Sequence, residues 1–260
     1  MYDIHSHILP GVDDGSRTPD ETVCMAKVAS NDGTTFMLAT PHRKDVTEKS
    51  SVHILRKLLQ EMNKRITADG IELTLLLGME NHLDLDLPRD YANGLALPIN
   101  ESKYMLVEMP FFGRPNYVES VLFDLQIQGL TPILAHPERI EAFQKDLDFL
   151  VDLIGKGMIT QITAGSIMGH FGNLAKKFTK TLMKRGLCHI LASDTHMPNG
   201  PRSPKLSYCV EEAGKLVGPD AARAMVLDNP KAVLDDSNLV LNSLKPDRST
   251  RKWWTFWVHE

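Results

Sequence analysis

The opening stretch MYDIHSHILPGVDDG sets His5 and His7 two residues apart, with Asp13 and Asp14 a few positions later. Similar residue types recur at wide intervals: His42 in TPH, Glu80 in GMEN, Glu108 in LVEMP, His136 and Arg139 in AHPER, and Asp194 and His196 in ASDTH. Imidazoles and carboxylates of this kind hold divalent metals. A mixed nitrogen and oxygen donor set without thiolate suits manganese, iron or zinc better than calcium, magnesium or copper(I). His5, His7, Asp14, His42, Glu80, Glu108, His136, Asp194 and His196 are nine groups, more than one ion can use, so two or three divalent metals are expected. Four carboxylates packed together without cations would repel one another. Three divalent ions against four carboxylates would leave a surplus of two positive charges, which attracts a dianionic phosphate.

These groups share a place in the pattern as well as a chemistry. Short apolar runs at 2–4, 34–40, 71–79, 103–109, 130–135, 158–164 and 187–193 alternate with amphipathic stretches. Near-continuous apolar runs read as strands buried on both faces, and strand–helix alternation predicts a parallel sheet. Seven strands suit an α/β fold closed into a distorted seven-stranded TIM-like (β/α) barrel, in which every strand C-terminus opens on one rim. Six of the seven runs end in ligand-type side chains; the sixth, ending in TAGS, offers none. Alternate residues of an extended chain point the same way, so His5 with His7, and Asp194 with His196, can reach one centre.

Helices are predicted at 18–33, with Thr18 as N-cap, Pro19 at N1 and Glu21 at N3, and at 51–70, with Ile54, Leu55, Leu58, Leu59, Met62 and Ile66 on one face. Further helices are expected at 115–128, 146–156, 171–185 and 204–217, and 81–101 reads as a long irregular connection. The Asp14–Gly15 pair marks a turn. Either aspartate could serve its own backbone there, and Asp14 is preferred as the ligand. His189 reads as a satisfied buried residue and His82 as structural.

The 260 residues, 42% hydrophobic, suit one large domain over 1–240 followed by a basic and aromatic tail over 241–260. A net charge of −4 argues against a nucleic-acid partner. Three cysteines give no disulfide framework, and neither a leader-like N-terminus nor a run of ~18 apolar residues is present. A cytoplasmic location is therefore expected. No cysteine begins a phosphate loop ending in arginine, and GxSxG and P-loop motifs are absent. Phe111, Phe112 and Tyr117 follow Glu108 and could line a slot for an aromatic group or simply pack at the rim. Trp253, Trp254 and Trp257 lie behind Arg248, Arg251 and Lys252, a combination suited to a membrane interface, a partner, or docking on the chain's own barrel or a neighbouring subunit. A homo-oligomer is compatible with the sequence.

Taken together, DIHSHILPGVDDG, TPH, GME, LVE, AHPER and ASDTH resemble the polymerase and histidinol phosphatase (PHP) superfamily. The nearer resemblance is to the manganese-dependent bacterial protein-tyrosine phosphatases of capsule and exopolysaccharide operons, the CpsB/YwqE type. The likeness covers about residues 1–240. It implies a trinuclear metal site held by the nine groups named above, and two arginines that grip phosphate. Arg139 matches the first; Arg202, in HMPNGPRSP, matches the second in a loop of variable length. The implied reaction is phosphomonoester hydrolysis, with a hydroxide held between metals attacking phosphorus in line and His42, His196 or a water supplying a proton. The implied substrate is a phosphotyrosine protein, a membrane-associated bacterial tyrosine kinase of polysaccharide export. Another phosphoesterase of the superfamily (a histidinol-phosphate phosphatase or nuclease) and a catalytically silent phosphotyrosine-binding regulator are the alternatives. An amidohydrolase is disfavoured, because Glu108 stands where a bridging carbamate would need lysine.

Overall fold

Each apolar run becomes a strand in the computed structural model, which describes residues 1–239. The strands are β1 (Tyr2–Asp3), β2 (Phe36–Ala39), β3 (Thr74–Leu77), β4 (Asn81–His82), β5 (Tyr104–Glu108), β6 (Thr131–Ala135), β7 (Ile159–Thr163) and β8 (Ile190–Ala192). Every residue of β5, β7 and β8 is buried, as both-face burial requires. All pairings are parallel.

The strands form two sheets, ordered β1-β2-β3 and β4-β5-β6-β7-β8, rather than the single seven-stranded ring that was expected. The reason lies in the third run. The chain there pairs with β2 as far as Leu77, breaks at 78–80, and resumes beyond the run, in the stretch expected to be irregular, as β4 paired with β5. Gly78 sits at the break, where a Cβ would come within 3.2 Å of Leu38 Cδ2. Beyond it, the Asn81 amide reaches the carbonyls of Met79 (2.8 Å), Leu97 (3.0 Å) and Leu106 (3.1 Å). At the opposite edges, Asp194 N donates to His5 O and His7 N donates to Thr195 O, both at 2.9 Å, so the end of β8 lies beside the continuation of β1.

The helices cover these sheets. Thr18 caps Pro19–Asn31, accepting from Glu21 N at 3.2 Å, and the Glu21 carboxylate accepts from Arg17 N at 2.8 Å. Val52–Ala68 buries Leu55, Met62 and Ile66, with Leu58 and Leu59 partly covered; Ile54, expected on that face, is exposed. Its position lies just off the contacting stripe. Helices Val118–Ile127, Leu147–Gly155, Gly172–Arg185 and Ser207–Val217 fall in the four other predicted stretches. Residues 81–101 are more ordered than expected, holding β4, the helix Leu87–Ala92 and a 3-10 turn at Ile99–Glu101. The predicted basic and aromatic tail, with Arg248, Arg251, Lys252 and the three tryptophans, lies outside the described residues. Among the described residues no helix is long and apolar enough to cross a membrane.

Candidate metal centre and its arginine rim

The ends of the strands carry all nine predicted groups to one cleft. Extended backbone after β1 sends His5 and His7 the same way, and their Nε2 atoms stand 3.3 Å apart. Glu80, just past β3, places Oε2 3.3 Å from both and 3.0 Å from His42 Nδ1. Its other oxygen lies 2.9 Å from His136 Nε2, which is also 3.4 Å from Glu108 Oε1. Asp194 Oδ1 lies 3.7 Å from Nε2 of both His5 and His7. Asp14, 62% exposed on the first loop, reaches His196 Nε2 at 3.2 Å and His42 Nε2 at 3.5 Å. Three overlapping donor sets result: His7, Asp14, His42 and His196; His5, His7 and Glu80; His42, Glu80 and Glu108. Within each set the donor atoms lie within 4.8 Å of one another.

The chemistry of these donors fits divalent cations. Gln161 Oε1 lies 2.8 Å from His5 Nδ1, and Asp13 Oδ2 lies 2.7 Å from His7 Nδ1. Each acceptor draws the ring proton to Nδ1 and leaves an Nε2 lone pair facing inward. Two such lone pairs 3.3 Å apart, flanked by carboxylates, call for a shared cation. Protons alone must otherwise neutralise the cluster. Burial would lower the His7 pKa, but Asp13 and then Glu80 outweigh it and hold it at about 10. His42 is likewise lowered by burial and raised more by Asp14 and Glu80, to about 11; Glu108 and Glu80 bring buried His136 to about 9. Burial and the neighbouring Glu80 charge push Glu108 up, yet His136 and His82 bring it down to about 2. Asp14 is held well below the usual carboxylate range by its bonds to His196 and His42.

Two of the nine occupy backbone conformations that few side chains adopt. His136 (φ 33°, ψ 53°) and Asp194 (φ 52°) are left-handed non-glycine residues at the ends of β6 and β8. Such conformations cost about 1–3 kcal/mol each and persist where surrounding structure over-determines them. Glu138 supplies part of that framework. Its fully buried carboxylate accepts from Thr163 N (3.1 Å) and Ser166 Oγ (2.6 Å), tying the turn after β6 to the end of β7.

The first loop depends on a glycine. A Cβ on Gly15 would sit 2.0 Å from His7 O, so only glycine lets the loop fold back over His7. Asp13 bonds within its own turn and behind His7. Beyond orienting His7, its carboxylate accepts from Gly15 N (3.0 Å) and His42 N (3.2 Å).

Both predicted arginines reach the mouth. Arg139 Nη1 donates to Asp194 Oδ2 at 2.7 Å, and Arg202 Nη2 donates to Asp194 Oδ1 at 3.0 Å. Arg202 Nη2 also lies 2.7 Å from His196 Nε2, while His196 Nδ1 faces Asp194 O at 3.0 Å. The arginines and seven of the nine groups, all but the buried His5 and His7, line a cavity of about 250 Å³. Phe111 joins that lining and stacks on His136 with 5.5 Å between ring centroids. Phe112 is 83% exposed and Tyr117 packs on the core; neither lines the cavity. His82 stays at the periphery, 3.5 Å from Glu108 Oε2. His189 is buried as expected, with Nδ1 accepting from Thr160 N at 3.0 Å.

Gln161 is the functional residue that strand-end reasoning passes over. Its signal is a lone amide inside the apolar run MITQITA, since a buried polar group needs a partner.

A parallel α/β fold that gathers imidazoles and carboxylates at its strand ends, under two arginines, agrees with the comparisons to known proteins. The chain belongs to the capsular polysaccharide synthesis CpsB/CapC family, whose model matches residues 1–235. It is 37% identical over 196 residues to the tyrosine-protein phosphatase YwqE of Bacillus subtilis, spanning 75% of this chain and 77% of that protein. It is 28% identical over 244 residues to the tyrosine-protein phosphatase CpsB of Streptococcus pneumoniae, spanning 91% and 99%. A solved structure from work on those two proteins, described as metal-dependent tyrosine phosphatases, superposes with a TM-score of 0.89 at 32% identity. It covers 95% of this chain and 99% of the matched chain.

Proposed function

We propose that the chain is a metal-dependent protein-tyrosine phosphatase of capsular or exopolysaccharide synthesis, acting in the cytoplasm on a phosphotyrosine protein, a membrane-associated tyrosine kinase. The observation that carries this reading is a cavity lined by seven nitrogen- and oxygen-bearing groups and two arginines, with His5 and His7 buried directly behind it. His5, His7, Asp14, His42, Glu80, Glu108, His136, Asp194 and His196 would hold two or three divalent ions, manganese by preference, with iron or zinc as alternatives. Bound divalent ions supply positive charge and an ionised water nucleophile near neutral pH. The chain's own part is orientation and charge. Gln161 and Asp13 fix the tautomers of His5 and His7. Arg139 and Arg202 offer planar forks to the equatorial phosphoryl oxygens, offsetting charge that grows during in-line displacement. A tyrosine phenolate, with a pKa of ~10, needs less protonation on leaving than an alkoxide does. We also read the two sheets as one distorted seven-stranded barrel, with β3 and β4 as a single broken strand; the hydrogen bonds between the ends of β1 and β8 support this.

The test pairs elemental analysis of the purified protein with assays on a phosphotyrosine peptide, histidinol phosphate and an oligonucleotide, with and without added manganese. Metal-dependent turnover of the peptide above the other two is expected. Preference for histidinol phosphate or the oligonucleotide would overturn the substrate, and full metal occupancy without turnover would overturn the activity.

A further inference from the structure

We propose that the His170–Phe171 turn positions both rim arginines, Phe171 through the guanidinium of Arg139 and His170 through the backbone of the loop that carries Arg202. The inference rests on the reading that this cavity binds a phosphoryl group. The turn joins the helices Ala164–Met168 and Gly172–Arg185, between Gly169 and Gly172. The Arg139 guanidinium carbon lies 4.4 Å from the Phe171 ring centroid and 4.9 Å from that of Phe111, which itself stacks on His136. Two aromatic faces thus hold the plane of the group whose edge reaches Asp194.

The neighbouring residue addresses the second arginine. His170 Nδ1 donates to Pro201 O at 2.9 Å. The next carbonyl, that of Arg202, accepts from His196 N (3.0 Å) and Thr195 Oγ1 (2.8 Å). Gly165 lies where these parts meet. A Cβ there would stand 3.0 Å from His170 Nδ1 and 3.4 Å from both Phe171 Cε2 and Pro201 O. The bare glycine surface therefore lets the turn and the Arg202 loop close on one another. Arginine is long and rich in rotamers, so ordering it before substrate arrives removes part of the entropic penalty of gripping phosphate. Phe171 and His170 are positioning residues in this scheme; neither needs to touch substrate.

The experiment uses the full chain loaded with manganese and measures p-nitrophenyl phosphate kinetics, inhibition by inorganic phosphate, and metal content. Phe171→Leu should lower kcat/KM and weaken phosphate inhibition by roughly five- to tenfold, as expected for one partly desolvated cation–π contact, with metal content unchanged. Phe171→Tyr keeps the ring and should stay near wild type. In an Arg139→Ala background, Phe171→Leu should add nothing, because the group it acts through is gone. His170→Ala should show a smaller loss, roughly two- to fivefold, that vanishes in an Arg202→Ala background. An undiminished effect of either variant in its arginine-deleted background would overturn the proposal. Unaltered phosphate inhibition, or loss of metal in Phe171→Leu, would also overturn it. Failure of the wild-type chain itself to hydrolyse any phosphomonoester would instead overturn the phosphatase reading.

Discussion

Replacing Asp13 with asparagine separates orientation from ligation in the first loop. The two aspartates are adjacent in sequence, yet Asp14 faces His42 and His196 while Asp13 lies behind His7. The 2.7 Å contact from Asp13 to His7 Nδ1 is charge-assisted and mostly buried. Bonds of that kind contribute about 1.5–3 kcal/mol. Asparagine has one such oxygen. At the Oδ1 place it keeps Gly15 N but turns its NH2 on the His7 Nδ1–H and His42 N, donor against donor. At the Oδ2 place it keeps those two without the charge and turns its NH2 on Gly15 N, so either way the charge-assisted bond to His7 is gone. Losing that bond weakens the hold on His7 and lowers the basicity of its Nε2. At about 1.4 kcal/mol per decade, metal affinity should fall roughly 10- to 100-fold, the range seen when such outer partners are removed. The assay is calorimetric titration of manganese into the metal-free protein at fixed pH, read for both affinity and stoichiometry. Asp13→Asn should keep the number of bound ions; Asp14→Asn, which removes a donor, should reduce it. An Asp13→Asn affinity within twofold of wild type, or a lost ion in that variant, would refute the division of labour.

Three further outcomes follow from the same geometry. Gly15→Ala should destabilise the fold by about 1–3 kcal/mol in a urea titration, and weaken manganese binding, because the added methyl displaces the loop from His7. Arg139→Ala should retain its metals by elemental analysis and lose roughly 100-fold in kcat on a phosphotyrosine peptide. His189, whose pKa burial lowers to about 4, stays neutral in the fold while the unfolded chain takes up a proton near 6.5. Its depressed folded value means that stability is full above pH 6.5 and falls as the pH drops toward 4, by about 2 kcal/mol between pH 7 and 5. Urea titrations at the two pH values should show that extra loss in wild type relative to His189→Gln.

The convergence of the nine groups was legible because metal chemistry restricts residue types and parallel strands restrict where those residues fall. His5 and Asp194 are nearly 190 positions apart, yet both follow apolar runs, and that alone placed them together. The break in the third run was not legible. IELTLLLGM reads as one strand ending at Met79, and nothing in it announces that the chain changes partner just beyond, pairing Leu77 with β2 but Asn81 with β5. Residues 81–101 seemed irregular because their elements are too short for periodicity to emerge; Leu87–Ala92 spans under two turns. Ile54 shows the limit of a helical wheel, which gives a face but not the width of the surface it meets. Phe171 carries no motif of its own, and its relation to Arg139 exists only across the fold.

The left-handed backbone at His136 and Asp194 has a consequence for anyone seeking a hardier form of this protein. Glycine relaxes such geometry, so a screen that rewards thermal endurance alone would be drawn to these two codons. The variants it returned would lack two of the side chains on which the proposed centre depends. Selection would have to score turnover at every round, because here ruggedness and chemistry compete for the same two positions.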